Sequence, residues 1–201
     1  VFPAASPAII ESKSLKLYLN SLNQAVYSSR EQVAEVITQD LSSACGGAVQ
    51  VNLLSVDESG EAIGRPEGFE LIDDEPVSEV VFEYAPEALS ASGEVVTERL
   101  CSHLLKSNCP VTGQPDWATL LISYTGPKID RGGLLRYVVS FRQKQDFHEH
   151  CVETVFTDLM GRCNPESLTV VARYTRRGGL DINPWRSTET GGDAGPRLIR
   201  Q

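Results

Sequence analysis

The chain lacks several features that would assign it to common protein classes. None of its apolar runs approaches the roughly 20 residues of a membrane-spanning helix, so we expect a soluble globular protein. Neither CxxC nor HExxH occurs, which argues against the standard zinc motifs. No GxGxxG follows a predicted strand, so any dinucleotide is not expected to bind through a Rossmann unit.

Cysteine is present but does not form a pattern that predicts disulfide bonds. Five cysteines are an odd number, and a chain of 201 residues is large enough to be stable without disulfides. We therefore expect reduced thiols and a cytoplasmic protein. The five are Cys45, Cys101, Cys109, Cys151 and Cys163.

Charge is distributed unevenly around a formal net charge of −9. Residues 1–100 contain 5 Lys and Arg against 17 Asp and Glu, whereas residues 101–201 contain 13 against 10. An acidic chain without a dense basic stripe argues against direct binding of nucleic acid. The more basic second half could still offer cations to a small anionic ligand.

The first half contains one clear helix. Ser28 and Glu31 resemble a capping box, an apolar stripe follows at helical spacing, and Gly46 and Gly47 predict its end. The segment before it, around Leu15 to Leu22, fits a helix or a strand equally well. Alternation predicts strands at 49–53 and 80–84, with acidic loops around a short strand between them.

The second half predicts a regular order of elements. Strands are expected at 95–105 and 117–124, and two amphipathic helices follow at 134–139 and 152–163. Two more strands are expected at 168–174 and 180–185, and then a polar, loosely held tail. This order predicts the α+β class, an antiparallel sheet with two helices packed on one face.

Cys109 lies in a loop between two predicted strands and is the candidate nucleophile. Pro110 and Pro115 restrict the residues before them and stiffen the loop. A thiol must ionise to attack carbon, and Asp116 is the nearest ionisable side chain, a candidate for proton transfer. The alternatives are a tight surface turn with a small half-buried cysteine, and an aspartate that accepts bonds from local backbone amides.

Two further segments could bind a ligand. Glu149, in the run Phe147-His148-Glu149, could accept two N–H bonds from a planar heterocycle, or could form an N-terminal cap with Asp146. Arg177 and Gly178, in Arg176-Arg177-Gly178-Gly179, could bind a phosphate, or the arginines could simply be exposed.

Four motifs together resemble those of a known family, the NADPH-dependent 7-cyano-7-deazaguanine reductases, which are nitrile reductases of queuosine tRNA modification. They are Glu11-Ser12-Lys13-Ser14-Leu15-Lys16-Leu17-Tyr18, the run Ser-His-Leu-Leu-Lys-Ser-Asn-Cys ending at Cys109, Phe147-His148-Glu149, and residues 173–184. They keep the order of the two-module form of the enzyme.

The resemblance implies a tunnelling fold in two tandem modules. It places the signature motif in a first module at 1–90, the catalytic cysteine in a second at 91–190, and a flexible tail at 191–201. Members of the two-module form carry a further stretch before the signature motif. The first module is therefore expected to be incomplete.

The resemblance also implies a reaction and its residues. Cys109 is expected to form a thioimide with the nitrile carbon, with Asp116 as proton donor, while two NADPH molecules deliver two hydrides in succession and take the carbon through an imine to the primary amine. The implied partners are the small deazapurine substrate and a second copy of the chain, and no metal is implied. The implied substrate-binding residues are Ile10, Glu11, Ser12, Phe147, His148 and Glu149, and those for NADPH are Ser12, Lys13, Arg177 and Gly178.

Two alternatives remain open on sequence grounds. One is a zinc-dependent enzyme like GTP cyclohydrolase on the same fold, with Cys101, His103 or Cys151 as ligands. The other is a module that binds a deazapurine without catalysis.

Overall fold

A computed structural model describes residues 1–54, 66–77, 79–190, 195 and 197–201. The chain divides into two compact units, Val1–Glu61 and Ala62–Gln201, and each is described here by itself. The predicted module limits at residues 90 and 190 stay a prediction. Residues 57–65 and 78 of the acidic loop region predicted at 57–79 lie outside the described residues.

The described residues 1–54 of the first unit form two helices, α1 (Ser12–Ser21) and α2 (Arg30–Cys45), with a 3-10 turn at Leu22–Gln24. The ambiguous segment is therefore helical. The predicted helix start at Ser28 is wrong by one residue: Ser29 caps α2, because its hydroxyl accepts the Gln32 N–H at 3.2 Å. Gly46 ends α2 as predicted, in the left-handed conformation with φ +72°.

The strand predicted at 49–53 is not formed. Its alternation reflects burial of Val49 against Ile37 and Leu41 of α2 rather than pairing in a sheet. Gln50 exchanges two backbone hydrogen bonds with Val1, at 2.6 and 2.9 Å. In the described part of this unit, strand pairing does not extend beyond these two hydrogen bonds. The segment therefore has no regular secondary structure.

In its described residues, the second unit forms a five-stranded sheet with two helices. Its strands lie side by side in chain order, and every neighbouring pair is antiparallel except β1 and β2. Short 3-10 turns lie at Pro86–Ala88 and Phe141–Gln143. The elements are β1 (Glu70–Leu71), β2 (Ala91–Asn108), β3 (Pro115–Ile129), α3 (Arg131–Ser140), α4 (His148–Cys163), β4 (Ser167–Tyr174) and β5 (Trp185–Ser187).

Both helices pack on one face of this sheet. Alternate residues of β3 and β4 point to that face, so Leu120 pairs with Ala172 and Ile122 with Val170 inside one core cluster. Apolar residues of α3 and α4 complete the cluster. The predicted α+β class is confirmed, with two helices on a mainly antiparallel sheet.

Two other strand predictions need correction. Residues 80–84 form no strand, and Val81 and Phe82 are exposed, because β1 occupies part of the adjacent sheet edge through pairs with Leu100 and Cys101. The last strand begins at Trp185 instead of residue 180. Pro184 has no N–H to donate, and the chain first turns tightly after Arg177.

The flexible tail predicted at 191–201 stays a prediction, and the described residues at the end of the chain make defined contacts. Leu198 is only 4% exposed. The Gln201 side-chain amide donates to the Asn183 side-chain oxygen at 2.7 Å and to the Tyr174 carbonyl at 3.2 Å. These contacts hold residues 197–201 against the unit, whereas residues 191–194 and 196 lie outside the description. None of the helices in the described ranges has the length and apolarity needed to cross a bilayer.

Candidate active site

Cys109 lies at the tip of the β2–β3 hairpin, as predicted. Asn108 ends β2 and pairs with Pro115, the first residue of β3. Inside the loop, the Cys109 N–H donates to the Gln114 carbonyl at 2.9 Å, and the Gly113 N–H donates to the Cys109 carbonyl at 2.8 Å. Gly113 adopts φ +69°, which favours glycine. The loop thereby fixes the backbone of a cysteine that is only partly buried.

The environment of Cys109 differs from that of the other thiols. Burial raises its pKa, but hydrogen bonds from the Thr112 hydroxyl, the Thr112 and Val111 N–H groups and the Arg177 guanidinium outweigh burial, and the net pKa is lowered. The other four cysteines are buried. Burial raises the pKa to about 11 in three of them: Cys101, Cys151 and Cys163. Cys109 is therefore the best candidate nucleophile.

Asp116 is a buried carboxylate, not a turn aspartate. It is the second residue of β3 and is 4% exposed. Its Oδ1 lies 3.0 Å from an Arg177 guanidinium nitrogen, and its Oδ2 lies 3.1 Å from His148 Nε2. Two basic side chains thus contact the same carboxylate. Only Pro115 separates this residue from the cysteine loop.

His148 begins α4 and is held on two sides. Its ring stacks on that of Tyr174, with centroids 3.8 Å apart and planes 10° apart, while Nε2 faces Asp116. Nδ1 is buried and has no partner in the described part of the chain. Because the stack restricts rotation of the ring, the imidazole is held with one nitrogen toward the carboxylate.

The predicted cap of α4 by Asp146 and Glu149 is wrong. Phe147 occupies the N-cap position and makes no side-chain cap bond. Asp146 instead accepts the Phe147 N–H and a His150 Nδ1 bond, each at 2.9 Å, and pairs with Lys144 at 3.1 Å. Glu149 is therefore not used for capping, and it has no partner within the described residues.

Arg177 and Gly178 lie in a tight turn after β4. Arg177 and Leu180 exchange two backbone hydrogen bonds, at 2.9 and 3.1 Å, around Gly178 (φ +58°) and Gly179 (φ +84°). The Arg177 side chain points back to the cysteine loop, where it donates to the Gln114 side-chain oxygen at 2.7 Å. The backbone of both glycines is exposed. A guanidinium beside open glycine backbone is a suitable contact for an anion.

The remaining predicted site residues belong to the first unit. Ile10 is partly buried against the helix cluster. The Glu11 carboxylate caps α1, accepting the Lys13 and Ser14 N–H groups at 2.8 Å each, and the Lys13 bond is the largest cause of its lowered pKa. Ser12 begins α1, and the Lys13 side chain is exposed.

Comparisons with known proteins decide the family. Residues 1–53 match the family model described as nitrile reductase, 7-cyano-7-deazaguanine-reductase N-term, and residues 115–192 match the one described as QueF-like protein. A protein of Chromohalobacter salexigens named NADPH-dependent 7-cyano-7-deazaguanine reductase is 52% identical, and the alignment covers 99% of this chain and 72% of that protein. The chain belongs to the 7-cyano-7-deazaguanine reductase family.

Other relatives of the same name agree with this assignment. Those of Desulfotalea psychrophila and Bordetella pertussis are 52% and 51% identical over the whole chain, which spans 73% and 74% of their lengths. The solved structure of an archaeosine synthase QueF-Like in the apo form gives a TM-score of 0.41 at 16% identity, covering 48% of this chain and 94% of that chain. Family membership agrees with the tunnelling fold expected from the sequence.

The zinc ligands of the alternative interpretation do not come together in this member of the reductase family. Cys101 packs with Leu121 and Val171 on the face of the sheet away from the helices, whereas Cys151 lies in the core between α4 and the sheet. His103 bonds to the Thr119 hydroxyl at 2.9 Å. In the ranges that the structure covers, no three His, Cys, Asp or Glu side chains form a group that could hold a metal.

Three site residues of this reductase family member were not found from the sequence. Thr112 and Gln114 resemble ordinary turn residues, and their contacts with Cys109 and Arg177 arise only when the hairpin closes. Tyr174 resembles the last core residue of a strand. The one available signal was the two-residue period of β4, which places Tyr174 on the helix-facing side of the sheet.

Proposed function

We propose that this chain reduces the nitrile 7-cyano-7-deazaguanine to 7-aminomethyl-7-deazaguanine with NADPH, a step of queuosine biosynthesis. Family membership supports this reaction. The single observation that carries it is the set of Cys109, Asp116, His148 and Arg177. It combines a thiol of lowered pKa with a buried carboxylate in contact with two basic groups, which suits addition of sulfur to a triple bond followed by proton transfer.

Cys109 performs the first step as a nucleophile. Its thiolate electron pair forms a bond to the nitrile carbon, one π bond of the triple bond breaks, and the nitrogen takes up a proton to give a thioimide. Asp116 is the proposed donor of that proton. Because His148 Nε2 lies 3.1 Å from Asp116, a proton can be returned to the carboxylate through His148 in its imidazolium form.

The residues on the described surface fit the phosphate groups of NADPH. Arg177 supplies a guanidinium, and a Cβ added to the exposed Gly179 would meet nothing within 4 Å, so a ligand can approach this backbone closely. In the first unit, Lys13 and Ser12 supply an ammonium and a hydroxyl. NADPH, when bound, supplies the hydrides, one from each of two molecules. Cys109 leaves as the C–S bond breaks and is free for another turnover.

Substrate recognition is proposed for Phe147, His148 and Glu149 of the second unit. The resemblance assigns the same role to Ile10, Glu11 and Ser12 of the first unit. Phe147 is 38% exposed, so its ring can stack on a planar base. The Glu149 carboxylate is partly exposed and can accept N–H bonds from the base edge. His148 is buried. Besides its proposed contact with the substrate, its Nε2 atom contacts the carboxylate of Asp116.

The assembly and location of the protein belong to the same proposal. A homodimer is supported by the apolar side chains of Val80, Val81 and Phe82, which are exposed in the single chain. Buried cysteines that form no disulfide agree with a cytoplasmic enzyme. The enzyme is proposed to contact the free base and not the tRNA. Light scattering of the purified chain tests the dimer: a monomer mass at micromolar concentration would contradict it.

Mass spectrometry of the intact chain tests the reaction itself. Incubation with the nitrile substrate and no NADPH should add the substrate mass once, and proteolysis should locate the addition at Cys109. NADPH should then remove the adduct and release the amine. The variant Cys109→Ser is the matched control and should remain unmodified. If the wild-type chain stays unmodified while its fold is intact, the covalent mechanism is wrong.

A further inference from the structure

Arg177 makes more contacts around Cys109 than a phosphate-binding arginine needs. One guanidinium nitrogen donates to the Gln114 side-chain oxygen at 2.7 Å, and another lies 3.0 Å from Asp116 Oδ1. The Arg177 guanidinium is also among the groups that lower the pKa of the Cys109 thiol, after the Thr112 and Val111 groups. Gln114 is itself tied to the cysteine, because its carbonyl accepts the Cys109 N–H at 2.9 Å. One guanidinium therefore contacts two side chains, one in the loop that carries Cys109 and one at the base of that loop.

We propose that Arg177 activates Cys109: its guanidinium group favours the thiolate by donating a hydrogen bond to the sulfur, while Gln114 and Asp116 hold it in place. In this ionisation the S–H proton leaves to solvent, and the electron pair stays on sulfur. The proposal deepens the proposed function, because it rests on Cys109 being the nucleophile. It assigns Arg177 a role in the site before any cofactor binds.

The surrounding charges explain why a cation is needed at this position. Asp116, at the start of β3, places a carboxylate beside the loop that carries Cys109, and an unpaired carboxylate there would disfavour a second negative charge. Arg177 pairs with that carboxylate and so reduces the repulsion, while His148 from α4 contacts its other oxygen. The Thr112 hydroxyl and the Val111 and Thr112 N–H groups face the sulfur from inside the loop. Among the groups named here, the guanidinium of Arg177 is the one that is always positively charged.

Alkylation of the native chain by iodoacetamide measures this ionisation directly, without substrate or NADPH. The thiolate attacks the methylene carbon and displaces iodide, so the rate rises with pH as the thiol ionises. The other four cysteines are buried, and modification is followed on the Cys109 peptide by mass spectrometry. The midpoint of the rate against pH is the readout. The plateau at high pH is less informative, since a thiolate of higher pKa is also the stronger nucleophile.

Two substitutions at Arg177 and one matched control complete the test. Arg177→Gln should move the midpoint to higher pH and slow alkylation at neutral pH by about three- to tenfold, the effect of losing one charge-assisted hydrogen bond at a partly exposed site. Arg177→Lys keeps a charge without the planar fork and should recover part of the rate. Arg176→Gln removes an equal charge from the neighbouring residue, which only approaches Asp181 at 3.9 Å, and should leave the midpoint unchanged.

The outcomes separate this inference from the proposed function. A midpoint for Arg177→Gln equal to that of the wild type, with the fold retained by circular dichroism, overturns the activating role even if the wild-type chain forms the nitrile adduct. An equal shift in Arg176→Gln also overturns it, because the effect would then be general surface charge. If Arg177→Gln exposes the buried cysteines to alkylation, its fold is disturbed and Arg177→Lys is used as the test instead. An alkylation midpoint of Arg177→Lys identical to that of the wild type would then show that the guanidinium contacts are not needed.

Discussion

Replacing Asp116 by Asn tests the proton donor with little change of shape. The amide keeps one acceptor oxygen but turns an NH₂ group toward either His148 or Arg177, which both offer N–H groups to the wild-type carboxylate. One favourable contact is therefore lost at a side chain that is 4% exposed. An unsatisfied buried polar group costs about 1–3 kcal/mol, so the variant should be destabilised by that amount and still fold.

The effect on chemistry should be much larger than the effect on stability. A positioned general acid contributes about 10²- to 10⁴-fold to a rate, and the amide has no proton to give at neutral pH. Stopped-flow or quenched mass spectrometry of adduct formation at saturating nitrile should therefore show a fall of that size for Asp116→Asn. Urea unfolding measures the stability change on the same sample.

A specific result would refute this role of Asp116. If Asp116→Asn forms the Cys109 adduct at the wild-type rate, the proton reaches the nitrile nitrogen by another route. If the rate falls only in proportion to the fraction of unfolded protein, the carboxylate is structural. Arg176→Gln, which alters a nearby charge outside the site, is the control and should keep the wild-type rate.

Three further predictions concern how the site and the first unit are held. Tyr174→Leu removes the ring stacked on His148 and should destabilise the second unit by about 2–4 kcal/mol in urea unfolding, whereas Tyr174→Phe keeps the stack and should cost less than about 1.5 kcal/mol; equal losses would contradict a role for the ring. Glu11→Gln should destabilise α1 by about 0.5–2 kcal/mol at neutral pH. Because the folded pKa of Glu11 is lowered, its contribution is present above the unfolded pKa near 4.5 and is lost as pH falls through the folded value, so the difference between the two proteins should vanish in acid. Gly113→Ala meets no atom within 4 Å, so its cost of about 1–2 kcal/mol should come from the positive φ alone and should appear as slower adduct formation and a lower thermal midpoint.

Local patterns predicted the parts of the fold that depend on local chemistry. The hairpin that carries Cys109 was predictable because Pro110 and Pro115 break regular structure between two alternating segments. The left-handed glycine at Gly46 likewise predicted the end of α2. In these cases a few adjacent residues determine the backbone, so the sequence alone was sufficient.

The strand predictions at 49–53 and 80–84 were wrong for a physical reason. Alternation reports only that every second side chain can be buried, and a strand also needs a neighbour to accept its hydrogen bonds. Val49 is buried against a helix instead, and Phe82 lies under the Arg142 guanidinium at 5.6 Å. Neither partner can be recognised from local spacing.

The contacts of the candidate site were equally beyond local patterns. Asp116, His148 and Arg177 are brought together by the pairing of β3 with β4 and by the packing of α4, which depend on residues far apart in the chain. Spacing alone left open whether Asp116 is a turn residue or a proton donor, and whether Glu149 is a cap or a ligand contact. Only the resemblance to the reductases indicated that the segments act together.

The most direct test of the account is the bond between the Cys109 sulfur and the substrate carbon. Nuclear magnetic resonance of substrate labelled with ¹³C in the nitrile group follows that carbon during binding without NADPH. We predict a new protein-bound resonance of an sp² carbon that disappears in Cys109→Ser. A bound substrate that keeps its nitrile resonance in the wild-type chain, with the fold intact, would contradict the central claim.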